Sequence, residues 1–139
     1  MSSTLATQWT YLFVLQELDL QLAVLQQQRV LAESLRGGVG LRLADDNAAQ
    51  ARRALPLTES RIRELEEERR SVALLLPRTV LRPYERLKDA GVPPPWVART
   101  SKPRCPGCNG DLSPAAVREA SVDRAPLRCE SCWRLLFLV

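Results

Sequence analysis

Four cysteines carry the recognisable chemistry of this chain, and they come as two pairs, "CPGCNG" starting at Cys105 and "CESCWR" starting at Cys129. In each pair two residues separate the thiols, and twenty residues lie between Cys108 and Cys129, giving C-x2-C-x20-C-x2-C. A two-residue spacer lets a tight turn aim both sulfurs at one point. Two such turns, at Cys105 and Cys108 and at Cys129 and Cys132, supply the four ligands of a tetrahedral Zn²⁺ at about 2.3 Å. With no position left open, one such ion is structural rather than catalytic. Ligand type alone leaves an iron–sulfur cluster open. A dithiol redox site competes, but it wants a single C-x-x-C at a helix N-terminus within a βαβ pattern, which the chain does not show. Disulfides are the remaining alternative. Backbone N–H groups within each turn offset thiolate charge, which favours Gly or Asn just past the second cysteine. Asn109 and Gly110 meet that need, whereas Trp133 is a bulky residue that resists positive φ.

Little else points to catalysis. There is no histidine, no Gly-rich phosphate loop and no nucleophile with an evident partner base, so an enzyme is not expected. The opening "MSSTLATQWT" lacks a signal-peptide pattern, and no run of eighteen apolar residues occurs, so no membrane insertion is expected and a cytoplasmic location is. In a reducing compartment, clustered cysteines hold metal or do redox work more readily than they form structural disulfides.

The elements that must position the cysteines follow from periodicity. Leu15, Leu18, Leu22 and Leu25 step by three, four and three, an a/d seam that continues imperfectly through Arg29 and Ala32. After Leu35, Gly37, Gly38 and Gly40 predict a reversal near 36–41. The heptad then returns as Ala44, Ala48, Ala51, Leu55, Thr58, Ile62, Leu65, Arg69 and Val72. Two such seams predict an antiparallel coiled-coil hairpin over residues 1–76, each arm about 45 Å long at 1.5 Å per residue. Alanines near the turn allow close approach. Pro56 predicts a kink or break near Leu55, with Thr58 or Ser60 capping a fresh segment. Leu12, Phe13, Val14, Leu31 and Leu41 are expected to face outward, available for dimerisation or partner docking. The run "RIRELEEERR" reads as a solvated helix face laced with i,i+4 pairs.

Pro77 ends the second arm. Residues 77–98 form a short helix, with Tyr84 and Leu87 on one side and Gly91 as its stop, and then a Pro-rich junction. Residues 99–139 form the cysteine-bearing module. "WVART" is extended enough for a strand, Ser113 and Pro114 mark the start of a helix, and "LRCESCWRLLFLV" reads as strand, knuckle and strand. The fold class is therefore mainly α with small β.

Charge divides along the same line. Residues 1–76 hold nine Arg against ten acidic residues, a net −1, while residues 77–139 hold eleven basic against six acidic, a net +5. Four thiolates and one Zn²⁺ would lower the second value to +3. The cations Arg78, Arg82, Arg86, Lys88, Arg99, Lys102 and Arg104, with Tyr84, Trp96 and Trp133 as stacking surfaces, form a candidate site for nucleic acid or a partner. The competing expectation is that Tyr84 and Trp96 pack the junction and the arginines are solvated.

The order of parts, a helical hairpin, a helix with "YERL", then "CPGCNGDLSP" and a closing "LRCESCWRLLF", resembles the bacterial C4-type zinc ribbon family, formerly a domain of unknown function. The resemblance covers residues 78–139 by motif and 1–76 by architecture. It implies Zn²⁺ on Cys105, Cys108, Cys129 and Cys132, with Arg134 and Leu136 at the start of the closing strand. It also implies an adaptor rather than an enzyme, since family members are linked with flagellar gene expression through a sigma factor and a messenger RNA, or with secretion components. The chain departs from the family in a shorter hairpin and in Trp133 where Gly is common. The expected function is a non-enzymatic zinc-ribbon adaptor with a protein partner, and nucleic-acid binding is the alternative. Thin two-helix hairpins are marginal alone, so a homo-oligomer is expected.

Overall fold

A computed structural model describes residues 2–34, 42–123 and 126–139. It contains, in order, α1 (Ser2–Ser34), α2 (Arg42–Leu74), α3 (Arg78–Asp89), β1 (Val97–Thr100), α4 (Pro114–Asp123), β2 (Leu127–Arg128) and β3 (Leu135–Leu138). The chain is mainly helical with one small sheet, as its periodicity predicts. The expected reversal at 36–41, with Gly37, Gly38 and Gly40, lies outside the described residues, as do the side chains of Leu41, Ala44, Ala48 and Ala51. Two compact units are formed, Glu17–Ser71 and Met1–Gln16 with Val72–Val139.

In the first unit the predicted seams are the buried stripes. Leu18, Leu22 and Ala32 of α1 are buried, as are Leu55, Ile62 and Leu65 of α2. The antiparallel register is pinned by Asp19, which is buried and accepts two hydrogen bonds from Arg69, Nε–Oδ1 at 2.5 Å and Nη2–Oδ2 at 3.3 Å. A planar guanidinium matches a carboxylate on both oxygens, so the pair fixes the rotation as well as the height of one helix against the other. Pro56 does not break α2, contrary to expectation; the helix runs through it from Arg42 to Leu74. Pro56 faces solvent, while Leu55, Ile62 and Leu65 lie on the buried side. Thr58 caps nothing, because its hydroxyl donates back to the Ala54 carbonyl at 3.0 Å.

The second unit is built on a three-stranded sheet of order β1-β3-β2, in which β1 and β3 are parallel and β2 and β3 antiparallel. Its registers pair Val97 with Leu135, Ala98 with Leu136 and Leu127 with Leu136. Strand alternation therefore sends Ala98, Leu136 and Leu127 to one face, where they pack with Ala120 of α4, Leu112, Cys105 and Cys129. On the other face Trp9 of α1 meets Phe137 at 4.8 Å between centroids, and the Arg99 guanidinium lies 5.0 Å from the Phe13 ring. Leu12, expected outward, is 1% exposed because the N-terminal end of α1 belongs to this core; Val14 and Leu31 are exposed as expected, and Phe13 is half-buried.

Gln16 ties α1 to β1. Its Oε1 accepts from the backbone N–H of Trp96 at 2.6 Å and of Val97 at 2.8 Å, and its Nε2 donates to the Val97 carbonyl at 3.0 Å. α3 adds Tyr84, fully buried and edge-on to Trp96 at 5.8 Å, and ends at Gly91, whose φ of 75° suits glycine.

Two substitutions test these polar ties. Arg69→Ala takes the guanidinium away from the buried Asp19 carboxylate and is expected to cost about 3–5 kcal/mol in urea unfolding, whereas Asp19→Leu with Arg69→Leu together should cost less than Arg69→Ala alone. Gln16→Leu keeps the volume but removes all three hydrogen bonds, and is expected to cost about 2–4 kcal/mol by the same measurement.

Candidate metal centre

The two cysteine turns share one backbone geometry. In the first, the Cys105 N–H donates to the Gly110 carbonyl at 2.9 Å and the Asn109 N–H donates to the Cys105 carbonyl at 2.8 Å. In the second, the Cys129 N–H donates to the Arg134 carbonyl at 3.0 Å and the Trp133 N–H to the Cys129 carbonyl at 2.8 Å. The flanks correspond too, with Arg104 bridged to Asp111 and Arg128 paired with Leu135. Both turns need a left-handed residue after the second cysteine, and Asn109 takes φ 61° while Trp133 takes φ 67°. The expectation that Trp133 would not fit is corrected. The knuckle's hydrogen bonds hold the conformation against the Cβ–carbonyl crowding of left-handed backbone, and the ring points outward, 57% exposed with the Arg128 guanidinium 5.2 Å from its centroid.

The turns face each other so that the four sulfurs lie within 4.8 Å of one another. Across the pairs, Cys105 Sγ is 3.6 Å from Cys132 Sγ, and Cys108 Sγ is 3.6 Å from Cys129 Sγ. A tetrahedron with metal–sulfur bonds of about 2.3 Å has edges of about 3.8 Å, so the donor set fits a thiolate-bound ion. A disulfide needs sulfurs at about 2.05 Å, and all four cysteines are free. Cys105 and Cys129 are buried, Cys132 is half-buried and Cys108 is exposed.

Local surroundings separate the thiols. Burial pushes Cys105 up to about 12 despite N–H donors from Cys108 and Gly107. Cys108 is also raised, the Gly110 N–H that lowers it being outweighed by burial and neighbouring thiols. For Cys132, burial acts upward, but the Arg134 N–H and guanidinium with the adjacent sulfurs prevail and bring it down to about 7.

Of the cationic and aromatic candidates, Arg78, Arg82 and Arg86 are exposed on α3 and Lys88 is half-buried. Arg99, Lys102 and Arg104 are exposed and line one cavity of about 410 Å³ beside the first knuckle, together with Asn109. Arg104 also pairs with the exposed Asp111 at 3.3 Å. Tyr84 and Trp96 are corrected as stacking surfaces, because both are buried against each other in the core; Trp133 alone of the three presents its ring. Sequence reasoning missed the part played by Arg134 beyond its place before β3. Its Nε donates to the Pro95 carbonyl at 2.8 Å and its Nη2 to the Pro93 carbonyl at 2.8 Å, contacts across about forty residues that no local pattern signals.

Fold and site together define a helical hairpin carrying a two-knuckle, four-cysteine centre able to hold a metal. No protein-family model matches the chain, and no curated protein matches it. Among solved structures it is similar to CT398 from Chlamydia trachomatis, with 19% identity, a TM-score of 0.42, and coverage of 99% of this chain and 76% of that one. Among the described residues no helix is long and apolar enough to cross a membrane.

Binding a divalent ion expels the remaining thiol protons, so affinity must rise with pH. Near pH 7.5 Cys105 and Cys108 still carry protons, and below about pH 7 Cys132 adds another. Zn²⁺ affinity from chelator competition is therefore expected to change by at least about 100-fold per pH unit above 7, and more steeply below it. The metal's contribution to folding stability, fully present at high pH, is lost in the same direction as pH falls.

Proposed function

We propose that this protein is a non-enzymatic adaptor whose C-terminal module is a structural zinc ribbon. The observation that carries the reading is the sulfur cluster: four cysteine sulfurs lie within 4.8 Å of one another, and as thiolates four such donors would complete a tetrahedral shell and leave no position for a substrate or an activated water. Zn²⁺ suits that role because it has no redox chemistry and accepts tetrahedral S₄ coordination. Cys105, Cys108, Cys129 and Cys132 hold it. The ribbon then offers a rigid surface, and the hairpin offers exposed Val24, Val30, Leu31 and Leu57 for a protein partner or a second copy of the chain.

A second reading, nucleic-acid binding, is favoured by the cavity that Arg99, Lys102 and Arg104 line and by the exposed ring of Trp133. It loses support from the burial of Tyr84 and Trp96.

Metal analysis of the purified protein is expected to give one zinc per chain, with four thiols becoming titratable on chelation and Cys129→Ser abolishing retention. Metal-free protein with a reversible disulfide would refute the zinc reading. Light scattering across a concentration series is expected to show a homo-oligomer, and a concentration-independent monomer would remove that part. Binding to single-stranded RNA or DNA that weakens steeply with salt would favour the second reading over the first, since each neutralised phosphate releases counterions.

A further inference from the structure

Arg134 follows the second knuckle by two residues and is 7% exposed. A guanidinium does not lose its proton in a protein, so a buried one needs an anion or a full set of acceptors. Among the described residues no carboxylate pairs with it. Two of its nitrogens are satisfied by the carbonyls of Pro93 and Pro95. The carbonyls are neutral. The anion that the surroundings offer is the sulfur cluster, whose Cys132 stands two residues before Arg134.

The first knuckle makes room for this arrangement. A Cβ on Gly107 would stand 2.4 Å from Arg134 Cδ, 2.6 Å from Nε and 2.9 Å from Cζ. The guanidinium arm thus crosses from the second knuckle to lie on the backbone of the first, while its nitrogens reach the Pro-rich segment. Gly107 has an ordinary backbone angle among the described residues, since it is absent from those with positive φ. Its missing side chain serves the close approach of Arg134.

We propose that Arg134 is the outer-sphere cation of the metal centre, a positioning residue that offsets the excess negative charge of a four-thiolate ion and locks both knuckles to the Pro93–Pro95 backbone. The inference rests on the zinc reading above. A divalent ion with four thiolates carries −2, and one guanidinium halves it inside a partly buried site. Removing that charge leaves the thiolates more basic and more nucleophilic without altering a ligand.

The test uses the full chain in four forms, wild type, Arg134→Met, Arg134→Lys and Gly107→Ala, loaded with Zn²⁺ and competed with a chelator, alongside alkylation of the zinc-bound thiolates by iodoacetamide. Arg134→Met is expected to lower zinc affinity by about 10–100-fold and to speed alkylation. Arg134→Lys should restore much of the alkylation resistance, because it keeps the charge, but only part of the affinity, because one ammonium cannot match the guanidinium's reach to both carbonyls. Gly107→Ala, which keeps every ligand and every charge, should weaken zinc in the same direction by displacing the arm. Zinc affinity and alkylation rate within twofold of wild type in both Arg134→Met and Gly107→Ala would overturn the proposal while leaving the zinc site standing. Failure of the wild type to retain zinc would overturn both. Should Arg134→Met not fold, the comparison of Gly107→Ala with wild type decides the question.

Discussion

The convergence of four sulfurs on one point is the constraint on which the C-terminal module depends. Its core beneath the sheet is made of Ala98, Leu112, Ala120, Leu127, Leu136 and two of the cysteines themselves. Alanines bury little apolar area, and strands of four, two and four residues form few ladder hydrogen bonds. A module of this size needs a staple. The cysteines contribute twice, as small buried hydrophobes through Cys105 and Cys129 and as four donor atoms whose convergence brings two separate turns together.

That constraint propagates outward through backbone geometry. Each knuckle must place an N–H on the carbonyl of its first cysteine and turn left-handed at the next position, so residue identity there is secondary to the local ring of hydrogen bonds. β3 then leaves the second knuckle in a direction already fixed, and its pairing with β1 brings Trp96 and Val97 to Gln16 on α1. Within the hairpin unit the corresponding device is ionic. Leucine seams permit small rotations and slips because one Leu contact is much like another, and the bidentate Asp19–Arg69 pair removes that degeneracy.

What could be read from the sequence was whatever is local or periodic. The seams at Leu18, Leu22, Ile62 and Leu65, the helix start at Ser113 and Pro114, the strand around Val97 and the ligand spacing all repeat at fixed offsets. Pro56 misled as to a break because the penalty for proline inside a helix depends on whether the freed carbonyl can reach water, which spacing does not disclose. Trp133 misled because a propensity for negative φ is a weak preference against a knuckle's hydrogen bonds. Leu12 was misread as outward, and Trp96 was ambiguous between surface and core, because the N-terminal end of α1 and β1, about eighty residues apart, meet only in the fold. Gln16 and Asp19 carry no pattern, and the place of Arg134 in the closing-strand motif does not disclose its contacts; each is a polar residue made structural by a partner 39 to 81 positions away.

Gln16 has one more consequence. β1 lies at one margin of the sheet, so its outward backbone groups are a template on which a strand of another molecule could add. Residue Val97 points both its N–H and its carbonyl outward, and the Gln16 amide occupies both, as a neighbouring strand's peptide group would. Two residues on, the next outward-pointing backbone belongs to Arg99, an exposed charge that repels flat strand addition. One side-chain amide and one guanidinium thus close a four-residue edge, and the sheet ends there instead of propagating into intermolecular cross-β pairing.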